Sequence, residues 1–440
     1  MNRLARDIEL ECKIPTVAAS GSNVAPYKDY LLKYANGMPI RSVAIPFPIA
    51  GQPRSVHKTY IEGNDPLTGE PLMQSIVDAF TKPLTEAELM EGMPPGGEPE
   101  PRLLKPDTEA NLQRLFKDNE WTDFNVIMLP TEQRVAEMLK KTSRNPEDVV
   151  GGSGAREMTV EKAAVFAVMA GARPEYFPTI LAALTRASGF GNSTSSAANM
   201  IVVNGPVRKE IGMHSGVAVM SPMGEANSAI GRSFTLAGKM LGDVRIKGGA
   251  YSTLGSALQY NNMTIAENEE LLPPGWDSLS VTLGFKPTDS VVSIGMGWSY
   301  ISSVGESQYP YGPHMLIADY MKALAGGSAT VIVDPTVARL LQNVHGFKTK
   351  AELGQWLSDN AEVAVGTYWG NGVNATAYEP LGLQGLEPYA TWRKLSPRTM
   401  IKPFTNPKNI KVLVTGGDIQ TTWFLTDFSF TNGINVDDWK

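Results

Sequence analysis

Cysteine is almost absent from this chain of 440 residues, in which Cys12 is the only one. A single cysteine excludes a disulfide framework and a zinc site built on cysteines. The sequence also lacks the Gly-x-Ser-x-Gly pattern of α/β-hydrolases and the His-Glu-x-x-His pattern of zinc peptidases. The common hydrolytic motifs therefore do not describe this chain.

An excess of positive charge and long apolar runs are missing as well. The net charge of −6 argues against nucleic acid as the main partner. No apolar run approaches the roughly 18 residues of a membrane span, so we expect no membrane segment. The N-terminal MNRLARDIELECKIP carries charges where a signal peptide needs an apolar run, which predicts a cytoplasmic protein. Hydrophobic residues make up 42% of the chain, enough for a sizeable core.

The first quarter of the chain differs in composition from the rest. Its last part, MEGMPPGGEPEPRLLKP (90–106), is rich in proline and glycine and is typical of a linker or an extended arm. We therefore expect an N-terminal arm or small lobe over 1–106 and an α/β core domain over 107–440. The arm is expected to contact another subunit or to lie along the core, and the chain is expected to form a homo- or hetero-oligomer.

The segment 157–216 brings ionisable groups next to apolar structure. Thr159 can cap a helix that is apolar on almost all sides, with Glu161 in its first turn. Arg173 precedes a proline that ends this helix, and Glu175 and Tyr176 follow in a short elbow. We expect Glu161, Arg173 and Glu175 near the interior. Arg173 or Arg232 would bind a carboxylate, and Glu175, Tyr176 or Glu267 would move protons, with Glu161 as a further candidate catalytic residue.

Two segments of the chain share one pattern, IVVNGPVRKEIGMHSG (201–216) and VIVDPTVARLLQNVHG (331–346). Each predicts a buried strand, an Asn or Asp, a proline and then a helix. Asp334 is expected to cap the helix of the second copy, and Thr349 the helix after it. The repeat predicts a pseudo-twofold α/β core of two strand–turn–helix half-units with a ligand between them, and chance similarity is the alternative. Asn204 and His214 of the first copy are candidate site residues. The run 124–129 also predicts a strand, and the tail from 409 predicts two strands around Gly416-Gly417-Asp418.

Further candidates follow the first copy. Asn227 ends a predicted loop, Arg232 lies early on the helix predicted after it, and both are candidates for substrate binding. The acidic run 267–270 places Glu267 and Glu269 on one face if it is extended, suited to acid–base work or to a hard cation. His314 is a further candidate ligand. A divalent metal is the one cofactor that the sequence suggests, and a solvated acidic loop is the alternative.

Several long strings are similar to an uncharacterised bacterial family whose members accompany, or are fused to, a small domain with a Sec-Gly-Ser-Cys or Cys-Gly-Ser-Cys (UGSC-type) motif. The resemblance covers about 129–423 and is carried by these strings: LPTEQRVAEML, NPEDVVG, TVEKAAVFAVMAGARPEYFP, VVNGPVRKEIG, AENEE and VTGGD. The chain departs from the family at Ala172, where MAGCRPEYFP would place a cysteine. It also lacks the UGSC-type motif itself, so such a partner would be a separate chain.

The resemblance implies the substrate-binding catalytic subunit of a two-component enzyme. A thiol- or selenol-containing partner would attack a carbon–heteroatom bond of a small organic molecule, by analogy with reductases of the glycine-reductase type. Two alternatives stay open at this point. One is a metal-dependent lyase or hydrolase with a carboxylate and histidine site, and the other is a non-catalytic scaffold or binding subunit.

Overall fold

A computed structural model describes residues 5, 8–24, 40–49, 52–90, 102–153, 156–187, 196–242, 244, 246, 252–304 and 311–440. Most of the predicted linker 90–106 lies outside the described residues. The N-terminal lobe contains β1 (Ala18–Gly21), β2 (Ser42–Ile45), α1 (Arg54–Glu62), α2 (Leu72–Thr81) and α3 (Glu86–Met90). Strands β1 and β2 pair in parallel, and Arg41 ties this pair to α3 through Glu88 at 2.8 Å.

The core begins after the linker and alternates helices with short strands. Its first part contains α4 (Glu109–Asp118), α5 (Glu132–Leu139), β3 (Val149–Ser153), β4 (Arg156–Thr159), α6 (Val160–Met169), α7 (Phe177–Leu184), β5 (Ala198–Asn204), α8 (Val207–Glu210) and α9 (Glu225–Leu241). Its middle part contains β6 (Ile265–Ala266), α10 (Leu279–Thr282), β7 (Val291–Gly297), β8 (Tyr300–Val304), α11 (Pro313–Met321), β9 (Ala329–Val333), α12 (Pro335–Asn343) and α13 (Lys350–Asn360).

The last part adds a small helical segment and the final strands. It contains β10 (Val363–Ala364), α14 (Val365–Gly370), α15 (Gly372–Ala377), α16 (Glu379–Leu383), α17 (Tyr389–Trp392), β11 (Met400–Ile401), β12 (Ile410–Val414), β13 (Thr422–Thr426) and β14 (Gly433–Asn435). The fold is α/β, as expected, with mixed sheets.

Two four-stranded sheets organise the core. The first has the order β14-β7-β5-β6, with β5 antiparallel to β7 and parallel to β6. The second has the order β12-β9-β13-β8, with β9 parallel to β12 and antiparallel to β13. The two repeat strands β5 and β9 therefore each have one parallel and one antiparallel neighbour.

The alternation of side chains along the strands shows how the layers stack. Met200 and Val202 of β5 share an apolar cluster with Ile332 of β9 and Leu413 of β12, so the two sheets face each other. The opposite face of β5, with Ile201, packs on α6, α7 and α9. The opposite face of β9 packs on α11, α12 and α13. The core is thus a helix–sheet–sheet–helix stack.

Local capping signals are confirmed. The side chains of Thr159, Asp334 and Thr349 accept from backbone N–H groups three residues ahead, at the starts of α6, α12 and α13. The predicted strand over 124–129 is wrong. Phe124 has φ +64°, and the Ile127 backbone bonds to the Gln113 side chain instead of a strand.

Candidate functional site

A cleft of about 430 Å³ opens at the carboxyl ends of β9 and β12. One wall is the loop 217–221 and another comes from β9 and β13, while 415–417 form the floor. The cleft is lined by Val217, Ala218, Val219, Met220, Ser221, Ile332, Val333, Asp334, Thr415, Gly416, Gly417, Ile419, Gln420, Thr422 and Phe424. Ligands of open α/β sheets commonly bind outside the carboxyl ends of the strands, so this cleft is the candidate site.

Asp334 brings a buried carboxylate to the cleft. It follows β9 directly, its side chain is 7% exposed, and one oxygen accepts from the Val337 N–H at 2.7 Å. The other oxygen accepts from the Thr422 N–H. Burial raises the pKa of Asp334 above its ordinary value, these N–H groups oppose the rise, and the nearby Asp418 adds to it. The sequence marked Asp334 only as a helix cap.

The floor of the cleft is held from below by the acidic run. The Asn268 side chain donates to the Gly416 carbonyl at 3.0 Å, and the Asn268 N–H donates to the Val414 carbonyl at 2.8 Å. The Thr415 hydroxyl donates to the Ala266 carbonyl at 2.8 Å. Residues 266–268 lie at the end of β6 in the first sheet, and residues 414–416 lie at the end of β12 in the second sheet. These bonds therefore join the two sheets beneath the cleft.

Glu267 is fully buried at this junction and all its bonds go to protein groups. One carboxylate oxygen accepts from the Lys350 ammonium at 2.6 Å and from the Val414 N–H at 3.3 Å. The other accepts from the Asn204 amide at 2.8 Å and from the Leu279 N–H at 2.7 Å. Four donors, one of which is the positively charged Lys350, compensate the loss of water around this carboxylate. Glu267 therefore has a structural setting that sequence reasoning missed.

Arg208, which the sequence did not mark, organises the rest of the acidic run. Its guanidinium is 5% exposed and lies 2.8 Å from a Glu269 oxygen and 3.0 Å from a Glu270 oxygen. It also donates to the Glu267 carbonyl at 2.7 Å. The hydrogen bond from Arg208 lowers the pKa of Glu270 to about 2. The arginine four residues after Asn204 was the available signal, because it places a cation on the helix that follows the strand.

Two predicted residues support the cleft wall. The Nε2 of His214 lies 2.5 Å from the carbonyl oxygen of Val217, which lines the cleft. A carbonyl only accepts, so Nε2 carries the hydrogen of this bond. The Asn227 side chain accepts from the His214 N–H and donates to its carbonyl, both at 2.9 Å. Two further candidates, Asn204 and Glu269, also lie in contact, since the Asn204 side-chain amide donates to a Glu269 carboxylate oxygen at 2.9 Å.

The elbow after α6 lies on the surface instead of near the interior. Arg173 pairs with Glu225 at 2.5 Å, and their side chains are 62% and 54% exposed. Glu175 is 53% exposed and lies 3.4 Å from Lys141. Only the Tyr176 side chain is buried, and that burial raises its pKa. The chain turns toward solvent where α6 ends. The apolar residues next to the elbow in sequence gave no sign of this turn.

Two other candidates form separate ion pairs. Glu161 pairs with Arg102, in the described part of the predicted linker, at 2.5 Å. Arg232 pairs with Asp123 at 2.9 Å and donates to the Val126 carbonyl, so it holds the irregular segment 123–126 against α9. Neither residue lines the cleft.

His314 lies in an aromatic cluster on α11. Its ring is 4.6 Å from that of His345 and 4.6 Å from that of Trp356, centre to centre. Burial, with a smaller contribution from His345, lowers the pKa of His314 to about 4. The described residues contain no group of three or more His, Cys, Asp or Glu side chains placed to hold a metal ion.

No family model, curated protein or solved structure matches this chain. Among the residues that the structure describes, no helix has the length and apolar character to cross a bilayer. The functional interpretation therefore depends on the cleft and on the sequence resemblance.

Proposed function

We propose that this chain is the substrate-binding catalytic subunit of a two-component, thiol- or selenol-dependent enzyme that acts on a carbon–heteroatom bond of a small organic molecule. The substrate occupies the cleft at the carboxyl ends of β9 and β12. One observation carries the proposal: the described lining offers one carboxylate, an amide and hydroxyls, but no cysteine, histidine or lysine. The cleft can hold a small molecule, and it has no thiol of its own.

The attacking group in this proposal belongs to a separate partner chain. Cys12 is the only cysteine here, and it lies exposed in the N-terminal lobe. The partner's thiolate or selenolate forms a bond to the substrate carbon as the bond to the heteroatom breaks. The leaving group departs with the electron pair of that bond. His214 positions the wall, and Asn268 positions the floor. The two half-units form a pseudo-twofold pair with the ligand between them.

The metal-dependent alternative receives less support. Glu267 and Glu269 are the carboxylates that would bind a divalent cation. Each already accepts hydrogen bonds from Asn204 and has a cationic partner, Lys350 for the first and Arg208 for the second. Binding a metal there would require breaking these bonds, so we do not propose it as the function.

The test combines the purified chain with a purified Cys-Gly-Ser-Cys domain under reducing conditions. Release of the leaving group is followed over a panel of small halogenated, amino and alkylthio compounds. Gln420→Trp places a large ring at the exposed side of the cleft and is expected to abolish turnover, while Gln355→Trp, at an exposed position of α13, leaves turnover unchanged. Turnover that survives Gln420→Trp, or a domain that neither binds nor gives turnover, would contradict the proposal.

A further inference from the structure

The charge of the cleft is set by one residue. Among the lining residues that the structure describes, Asp334 is the only one with an ionisable side chain. A carboxylate group on a ligand would therefore meet a like charge with no lining cation to offset it, which disfavours binding. A ligand cation would meet an opposite charge in a buried setting, where charge-assisted hydrogen bonds are strong.

The groups around Asp334 do not change the negative sign of the charge in the cleft. Asp418 stands close enough to act on Asp334, but Arg339 holds it at 2.7 Å and balances its charge. The start of α12 contributes the partial positive charge of a helix N-terminus, roughly half of one elementary charge. Half a charge does not cancel the full charge of an ionised Asp334, so the potential at the carboxylate is negative.

Asp334 also keeps room for one more donor. An ionised carboxylate has about four lone-pair sites. The N–H groups of Val337, Thr422 and Thr336 use three of them. By this count one acceptor site is left, and because Asp334 lines the cleft, a ligand cation there would offset the cost of keeping this carboxylate ionised away from water.

The rest of the lining is mostly apolar. Val219, Ile332 and Phe424 present aliphatic and aromatic surface to the cleft, and its volume of about 430 Å³ is within the usual range for small-molecule sites. Such walls bind a compact hydrocarbon body and bury it from water.

We propose that the cleft takes a compact apolar molecule that carries one protonated amine, with the ammonium donating to Asp334. This inference depends on the proposed function only in taking the cleft as the substrate site. It names the substrate class that the site selects, and it disfavours the carboxylate-bearing ligand that the sequence suggested through Arg173 and Arg232.

The test uses three probes with the same body and different charge. Cyclohexylmethylamine, cyclohexylmethanol and cyclohexanecarboxylate are titrated into the full-length chain by calorimetry near pH 7. The amine is expected to bind about tenfold or more tightly than the alcohol. A charge-assisted hydrogen bond supplies this difference, because about 1.4 kcal/mol of binding free energy corresponds to a tenfold change in affinity. The carboxylate is expected to bind more weakly than the alcohol.

Asp334→Asn tests the residue itself. Asn caps helices about as well as Asp, so this variant removes the charge and can keep the bond from the Val337 N–H at the start of α12, although its Nδ2 cannot accept from the Thr422 N–H. It is expected to lower amine affinity to that of the alcohol and to leave alcohol affinity within about twofold. Asp319→Asn, an exposed change of the same charge on α11, is the matched control and keeps amine affinity. The wild-type probe series decides the question even if Asp334→Asn fails to fold.

The outcomes separate the two proposals. If the alcohol or the carboxylate binds as tightly as the amine, and Gln420→Trp blocks that binding, the cleft is a ligand site and the amine class is wrong. If the amine binds tightly to wild type but equally to Asp334→Asn, Asp334 is not its partner and the inference fails. If no probe binds and the Cys-Gly-Ser-Cys domain gives no turnover with any compound, both proposals fail.

Discussion

Glu267 and Lys350 form a buried salt bridge of 2.6 Å, and their side chains are 0% and 6% exposed. The two residues are 83 positions apart in the chain. Glu267 follows β6 in the first sheet, and Lys350 begins α13 on the outer face of the second. This pair therefore joins the two halves of the core next to the floor of the cleft.

Breaking this buried pair should cost stability. Glu267→Gln or Lys350→Met leaves one buried charge without its partner, and each should lower the free energy of unfolding by about 3–5 kcal/mol. The double variant should cost less than the two single losses together, with a coupling of about 1–3 kcal/mol. Urea denaturation of the four proteins measures this cycle.

An exposed pair supplies the control for that cycle. Asp319 and Lys322 lie 2.8 Å apart, and their side chains are 59% and 52% exposed. The Asp319→Asn and Lys322→Met cycle should give a coupling below about 1 kcal/mol, because water screens exposed pairs. Equal couplings in the two cycles would show that Glu267 and Lys350 are solvated in solution.

The features that sequence could predict are local ones. Caps at Thr159, Asp334 and Thr349 depend on residues within one helical turn, and all three form as expected. The strand predicted over 124–129 depends on a partner strand that no nearby residue specifies. The tail gave two strands, as expected, but β12 and β13 lie on opposite sides of β9 instead of next to each other.

The candidate site was only partly accessible from sequence for the same reason. The contact of Asn204 with Glu267 spans 63 positions, and that of Arg208 with Glu269 spans 61. Such contacts arise from strand order, which the sequence pattern does not fix. Sequence could identify the acidic run as unusual, but it could not show that Lys350 pairs with Glu267 and that Arg208 pairs with Glu269 and Glu270.

The apolar interior predicts a large loss at Leu181. This side chain is fully buried on α7, among residues of α6, α9 and β5. Leu181→Ala should lower the free energy of unfolding by about 2–5 kcal/mol. Leu383→Ala removes the same atoms from a side chain that is 63% exposed and should stay within about 0.5 kcal/mol of wild type. Chemical denaturation compares the two, and similar losses would contradict this placement.

The N-terminal lobe should be separable from the core. Two of its hydrogen bonds lie within the lobe: Arg41 donates to Glu88, and the Ala44 N–H donates to the Asp65 carboxylate. We expect a chain that starts at residue 102 to keep the melting temperature of the core. We also expect it to form smaller oligomers in sedimentation, because Val77 and Phe80 expose apolar surface on α2. Val77→Glu with Phe80→Glu should give the same change in size. A truncated chain that unfolds would contradict the boundary.

The histidine cluster predicts a pH dependence of stability. The pKa of His314 is about 4 in the folded protein, mainly because of burial, against about 6.5 when exposed. Between these values the unfolded chain binds a proton that the folded chain does not, so stability falls as pH falls from 6.5 toward 4. The slope should reach up to about 1.4 kcal/mol per pH unit from this one residue.

Replacing His314 should remove that slope while keeping the ring stack. His314→Phe retains an aromatic ring against Trp356 and has no group that titrates. Urea midpoints at pH 4.5, 5.5 and 6.5 should vary less for His314→Phe than for wild type. His345→Phe should show a partial effect, because burial also lowers the pKa of His345. A loss of stability in His314→Phe that is the same at every pH would mean that the residue acts through packing alone, and the proton-linked account would be wrong.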